Sequence, residues 1–479
     1  MWFFRSEIPG ENSLRAASPN ERRCITREYL DFYRALIIGG IYQFSEPVDV
    51  TSVFTYTYAL RHCVDRHPQL SITVAKAETE SPHYEFCPRL DLSQHIQILE
   101  RGDDSELKTI ERVLPSILDA QWPPSIPAWK IVVLPFSQTR CFIGFSFSHN
   151  LGDGMTAMAF HRSFLDALQQ PRLITDLICT PTLKQLSPPF DSAQTLPISW
   201  SFLLSPLLGE YLPESIASIF GFRASASSIT PGTWTGSSVF YSPETYRTGV
   251  HILSIDACTV EQTLKACRMH GAKMTGLIHQ FIITALSDLL PQPHKFDNLA
   301  FATAMNMRNA VGVSKDEMGL FVSGYFQTQP LQNPTLGAQG EFSWALARSI
   351  TETLAAKANE LSDNPVGLLR YVSTMRSWTV SKLGHCRDGS YELSNLLSFQ
   401  PSSSVEKCSV TEMVFCQPTN VTSAPLTFNI VSTSGGPMNI TVDWQVGALA
   451  MGSYEDEVNF VSSMCKHVES SFVRVASTT

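Results

Sequence analysis

Cys141-Phe142-Ile143-Gly144-Phe145-Ser146-Phe147-Ser148-His149-Asn150-Leu151-Gly152-Asp153-Gly154-Met155 holds a strand, a tight turn and the start of a helix in one short segment. Ile143, Phe145 and Phe147 alternate with Gly144, Ser146 and Ser148, the period-2 pattern of a strand with one large apolar face and one face of small residues. Small residues let another chain segment or a ligand come close. Past the Asn- and Gly-rich turn, Met155, Met158, Ala159, Phe164, Leu165 and Leu168 recur at helical spacing, so a helix is expected over Met155–Leu168. His149 thus stands rigidly where the strand ends. An imidazole titrating near neutrality is a natural general base for a hydroxyl or amine. Asp153 lies across the turn, placed to cap the helix or to hold the loop through an ion pair, with no need to touch substrate.

Working outward, strand and helix patterns alternate through the chain and predict an α/β fold. Helices are expected at Val48–Arg66, stopped by His67-Pro68, and at Ser105–Leu118, interrupted by Pro115. Strands are expected at Leu70–Ala75 and Trp129–Leu134. Between 171 and 245, nine prolines and many serines break the rhythm; this reads as a long crossover connection with some helix, for instance Trp200–Leu208. Beyond it, His251–Ile255, Leu299–Met307, Leu320–Gln327, Tyr391–Phe399, Leu426–Thr433 and Met438–Gln445 read as strands. Val260–His270, Gly276–Leu290, Phe342–Leu361, Gly367–Leu383 and Tyr454–Val473 read as helices. Each half has its own strands and helices, so the expected division is a domain over 1–170, the connection over 171–245 and a second domain over 246–479. A chain of 479 residues accommodates two such domains.

Composition excludes several classes. Hydrophobic residues make up 43 % and charged residues 16 %, enough apolar surface for large cores. Acids outnumber bases by 44 to 35, for a net charge of −9, and no dense basic stripe occurs, so nucleic-acid binding is not expected. The 11 cysteines contain no C-x-x-C pair and form an odd set, which predicts neither a zinc ribbon nor a disulfide framework. The apolar runs at Ala35–Tyr42 and Phe281–Leu290 are too short to span a membrane, and Met1-Trp2-Phe3-Phe4-Arg5 turns polar at once, unlike a signal peptide. A cytoplasmic protein is expected, with peripheral membrane or lipid-droplet contact left open. Phosphate-binding loops, G-x-G-x-x-G and G-x-S-x-G are missing, and with neither H-E-x-x-H nor a Cys/His cluster present no metal site is expected.

The run His149–Gly154 resembles the H-x-x-x-D-G signature of the CoA-dependent acyltransferase superfamily, which includes chloramphenicol acetyltransferase, the plant BAHD enzymes and peptide-synthetase condensation domains. Ser18-Pro19-Asn20-Glu21-Arg22-Arg23, Phe32-Tyr33-Arg34-Ala35 and Arg66-His67-Pro68-Gln69-Leu70 resemble the fungal alcohol O-acetyltransferases. So do Asn306-Met307-Arg308 with Gly319, and Ser394-Asn395-Leu396. The resemblance implies two chloramphenicol-acetyltransferase-like domains, each a mixed sheet with flanking helices, and an active-site tunnel at their interface. It implies His149 as catalytic base and Asp153 and Gly154 as structural support of its loop, with Arg308, and Arg66 second, as the partner of Asp153. Ser394 and Asn395 are candidates for contact with substrate or oxyanion. Acetyl-CoA is implied as co-substrate with no permanently bound cofactor, a small, hydrophobic alcohol as acceptor, and a monomer as the working unit.

The departures narrow the choice. Ser148 stands where condensation domains carry a first histidine, and the BAHD D-F-G-W-G is missing. Asp443-Trp444-Gln445-Val446-Gly447 echoes that sequence but reads as core, and Ser432-Thr433-Ser434 before Gly435-Gly436 reads as a hairpin. Two other functions remain on the table: a carrier-protein-dependent condensation enzyme making esters or amides, and a non-catalytic small-molecule-binding protein of the same fold.

Overall fold

The structure is a computed structural model that describes residues 12–204, 229–290, 295–331, 342–402 and 406–478. Two mixed sheets carry it. The first runs Cys408–Cys416, Leu36–Phe44, Arg140–Phe147, Trp129–Ser137, Ile96–Ile98. The second runs Thr248–Ile255, Met438–Gln445, Leu426–Thr433, Tyr391–Phe399, Asn298–Asn306, Val322–Pro330. A three-stranded sheet (Ser13–Ala16, His83–Phe86, Ile72–Ala75) and a two-stranded ladder (Leu90–Asp91, Ile178–Cys179) flank the first. The mixed α/β class is the expected one.

The strand that leads to His149 is the centre of the first sheet and is paired on both edges. Ile143, Phe145 and Phe147 face a core built with the helices Phe54–Arg66 and Gly154–Leu168, where the ring of Phe145 stacks on Phe160 at 4.0 Å. On the other face Phe142 joins Ile37, Ile41 and the helix Glu106–Leu118. The small-residue face has a use that its sequence does not spell out. Gly39 lies opposite Gly144, and a Cβ on Gly39 would sit 2.2 Å from the Phe142 ring, while one on Gly144 would sit 2.5 Å from Ile37. The paired glycines admit those two side chains across the sheet.

The second sheet sorts its faces by chemistry. Tyr391, Leu393, Phe428, Ile430, Ile440, Val442 and Trp444 point into a core with the helices Ala257–Met269, Met274–Leu289 and Tyr454–Ser477. Alternation therefore turns Ser394, Asn429, Thr441 and Asp443 to the opposite face, toward the first half. There Asn439 donates to the Met413 carbonyl at 2.8 Å and Thr441 to the Phe415 carbonyl at 2.7 Å. Cys408–Cys416, which the sequence reading did not mark, adds to Leu36–Phe44 and so belongs to the sheet of the first half. A bulge between Val410 and Glu412 breaks its alternation, which hides the period from a reading of the sequence.

Most expected elements stand with end shifts, and Tyr391–Phe399, Leu426–Thr433 and Met438–Gln445 have the predicted bounds. The helix expected from Val48 begins only at Phe54, because the Asp49 carboxylate holds the Thr51 amide and hydroxyl in a turn before it. Gly367–Leu383 is not one helix but a 3-10 turn, Pro365–Tyr371, and a short helix, Met375–Val380. The Glu80 carboxylate accepts the Met375 amide at 2.8 Å and separates them. The segment expected as helix over Trp200–Leu208 is helical at 200–204 and otherwise lies outside the described residues.

Candidate active site

The loop 148–153 is pinned from both sides. In front, the Ser148 amide donates to the Ala128 carbonyl at 2.8 Å and Tyr84 Oη to the Asn150 carbonyl at 2.8 Å. Glu28, on the helix Pro19–Tyr29, accepts from the Ser148 hydroxyl and from Asn150 Nδ2 at 2.6 Å, so one carboxyl group holds both neighbours of His149. Burial pushes the Glu28 carboxyl up to about 7, against the Ser148 hydrogen bond, which lowers it. A cleft of about 310 Å³ opens beside the loop, lined by Glu28, Arg34, Trp122, Ile126, Asn150 and Leu151.

Behind the histidine, Asp153 is the N-cap of the helix Gly154–Leu168, Oδ1 accepting the Thr156 amide at 3.2 Å. Its Oδ2 accepts from Arg308 Nη1 at 2.8 Å and from the Phe321 amide at 2.9 Å. Arg308 spends its other donors on the carbonyls of Glu317 and Gly319 and lies over the Phe321 ring at 4.9 Å. Both side chains are buried, 1 % exposed for Arg308 and 5 % for Asp153. The structure thus brings Asp153 to Arg308 and not to Arg66, which closes the helix Phe54–Arg66. The pair ties the turn of the first half to the segment 306–321 of the second.

Gly154 opens the helix against Leu396 of the second half, where a Cβ would come within 2.4 Å of Leu396 Cδ2. Gly154→Ala should therefore destabilise the fold by about 1–3 kcal/mol through overpacking, read as a lowered Tm. An unchanged Tm would show that Leu396 moves aside freely.

The imidazole itself is half-buried, with Nδ1 enclosed and without a hydrogen-bond partner among the described residues. Burial pushes its pKa down to about 4; the Asp153 carboxylate acts in the opposite sense and the Arg23 charge in the same one. At neutral pH the ring is uncharged, the form a proton acceptor needs. The ring is only half-buried, so it keeps accessible surface beside the loop.

Tyr33, which the sequence reading quoted without assigning a role, packs its ring 5.6 Å from the imidazole at a 47° tilt. Its hydroxyl donates to Gln417 Oε1 at 2.5 Å, Gln417 Nε2 donates to Asn429 Oδ1 at 2.7 Å, and Asn429 Nδ2 donates to Asp443 Oδ2. A polar chain therefore runs from the wall of the histidine to a carboxyl group in the interior of the second sheet. Burial raises Asp443 to about 8, so it is protonated in the fold at neutral pH. The unfolded carboxyl ionises at its ordinary value, so each rise in pH from about 4 to 8 favours the unfolded state. Asp443→Asn removes that titration. Its Tm relative to the parent should climb as pH is raised through this window, and a pH-independent difference would contradict the buried neutral carboxyl.

Ser394 and Asn395 are half-buried on the strand Tyr391–Phe399, but no hydrogen bond joins either to His149 among the described residues. Asn395 Nδ2 donates to Thr275 Oγ1 at 3.1 Å, and its Oδ1 accepts the Leu397 amide at 2.8 Å, stabilising a bulge with Leu397 at φ 62°. Among the described residues no group of three or more His, Cys, Asp or Glu side chains is placed to hold a metal, and no helix is long and apolar enough to cross a membrane.

The sequence model of the alcohol acetyltransferase family matches residues 92–458. A probable alcohol acetyltransferase, FCK4, of Fusarium pseudograminearum is 23% identical over 410 residues, covering 80% of either chain. A second, crmB of Aspergillus fumigatus, is 21% identical over 455 residues, covering 88% of this chain and 93% of its own. The solved structure of TRI3, a trichothecene 15-O-acetyltransferase from Fusarium sporotrichioides, superposes with a TM-score of 0.63 at 12% identity over 97% of this chain and 98% of that one. The condensation domain of the monacolin K synthase MokA superposes at 0.57, with 12% identity over 97% and 98% of the two chains. At these identities the structural likeness shows the fold, and the fold is the one chloramphenicol-acetyltransferase-like enzymes and condensation domains share.

Proposed function

This chain belongs to the alcohol acetyltransferase family, and from that premise we propose that it moves an acetyl or short acyl group from CoA to a hydroxyl of a small, hydrophobic metabolite, with His149 as general base. The observation that carries the reading is an uncharged, half-buried imidazole that keeps accessible surface, on a loop clamped by residues of both halves.

In this mechanism both substrates meet at His149 without a covalent enzyme intermediate. The imidazole takes the hydroxyl proton, the alcohol oxygen bonds to the thioester carbonyl carbon, and a tetrahedral oxyanion forms. Collapse breaks the carbon–sulfur bond, and the imidazolium returns its proton to the CoA thiolate. General-base help of this kind supplies about 10²–10⁴-fold, and positioning supplies more. The tilted Tyr33 ring supports the imidazole's orientation, and Asp153 holds the backbone of the loop without facing the substrate. Ile25, Val74, Trp122 and Ile126 give the cleft beside the loop an apolar part that suits a hydrophobic acceptor, next to the polar Glu28, Arg34 and Asn150.

Mass spectrometry of products after incubation with acetyl-CoA and a panel of hydroxylated metabolites tests this. A mass gain of one acetyl group on a hydroxylated acceptor, dependent on His149, is the expected result. CoA binding with no ester formed from any acceptor would favour a non-catalytic binding protein, and acylation only from a carrier-bound thioester would favour a condensation-type enzyme.

A further inference from the structure

The helix Pro19–Tyr29 carries three arginines with different fates. Arg22 donates to the carbonyls of Glu80 and Val372 at 3.2 and 3.3 Å. Arg23 and Arg27, four residues apart and so on one helix face, enter no ion pair among the described residues, and the Nε of each is buried without a partner. The polar neighbour of the Arg23 side chain is the Cys24 thiol. Both residues are half-buried and keep accessible surface, as His149 does. Glu28 of the same helix holds Ser148 and Asn150, the two neighbours of His149, and Tyr33 just beyond the helix packs on the imidazole, so the helix lies against this loop; the Arg23 charge acts on the imidazole and that of Arg27 on Tyr33.

Two like charges in the interior are costly unless something negative meets them. The acids whose charges act on Arg27 are Glu392 and Asp388; neither forms an ion pair with an arginine of this helix among the described residues, and only Asp388 has a cation of its own. Glu392 accepts from the Ser423 hydroxyl, and Asp388 is paired with Lys382 at 2.5 Å. We propose that Arg23 and Arg27 form an anion subsite beside His149 that takes a carboxylate or phosphate group of a substrate. Adjacent guanidinium forks match the oxygens of either group and leave no buried charge uncompensated. The anion would also offset the positive charge that Arg23 places on the imidazole, so docking and base strength are coupled.

The identity of the ligands rests on the acyl-transfer reading, and two sources of the anion follow: a phosphate of CoA or a carboxylate on the acceptor. Titration calorimetry separates them, using the whole protein with CoA, with a hydroxy fatty acid and with the methyl ester of that acid. Arg23→Gln and Arg27→Gln should weaken one of the two anionic ligands by about tenfold or more, leaving the neutral ester unaffected. Loss on CoA identifies the phosphate, and loss on the free acid identifies the carboxylate. Arg27→Lys, which keeps the charge, secures the test should the glutamine variants fail to fold, and should bind the same ligand with an intermediate loss.

The subsite is overturned if the parent protein binds neither anion, or if folded variants bind both within about twofold of the parent. Because binding is read without turnover, the outcomes stay separate. A protein that binds the anion through these arginines but forms no ester sinks the acyl-transfer reading and leaves the subsite standing.

Discussion

His149→Ala should lower turnover by about 10²–10⁴-fold or more while the protein still melts cooperatively. Among the described residues the imidazole Nδ1 has no hydrogen-bond partner, and the Tyr33 ring packs against it. Alanine therefore removes the proton acceptor and little else. Steady-state rates of CoA release, with Tm measured on the same preparation, check this. Near-normal acylation by the variant would remove the base from the scheme. The pH dependence gives an independent handle. With the imidazole at about 4 in the fold, the rate should hold down to about pH 5 rather than fall through 6.5. In the unfolded chain the ring returns to its ordinary value, so its contribution to stability is complete above about 6.5 and is lost as pH falls toward 4. Activity and stability should therefore both decline on the acid side.

Breaking the Asp153–Arg308 pair should have the largest effect on stability. Arg308→Met leaves a buried carboxylate facing only amides, which costs about 3–5 kcal/mol for a pair this enclosed. Asp153→Asn keeps the acceptor for the Thr156 amide but gives up the charge that Arg308 meets. It should lower Tm and kcat together, because the same carboxylate fixes the turn that presents His149. The double variant should be less destabilised than the two single changes added, since neither charge is then left without its partner. Strict additivity would mean the two groups do not interact. A change in KM alone, with Tm untouched, would contradict the structural role of Asp153.

The strand, turn and helix around His149 were legible because each carries a local signal: period-2 alternation, a Gly-rich bend and helical spacing with an Asp cap. Arg308 as partner of Asp153 came from the family resemblance, not from spacing, since 155 residues separate the two. The helix Pro19–Tyr29 was not marked, although its signal is present. Ser18-Pro19-Asn20-Glu21 is a capping box with proline in the first turn, and both reciprocal bonds form. Without that helix, Glu28, Arg23 and Arg27 could not be placed near the site. Tyr33, Gln417 and Asn429 were beyond reach for a different reason: their chain joins three distant segments, and no local pattern encodes it. Ser394 and Asn395 lie on the expected strand, but the bulge after Asn395 turns its amide to Thr275, a detail no periodicity foretells.

The exchange of Cys408–Cys416 into the sheet of Leu36–Phe44 has a consequence for dissection of the molecule. A fragment that stops before residue 408 would leave the Leu36–Phe44 ladder with a bare edge of unpaired amides and carbonyls, open to pairing with another chain. Separately produced halves would thus be insoluble or would complement one another only by donating that strand in trans.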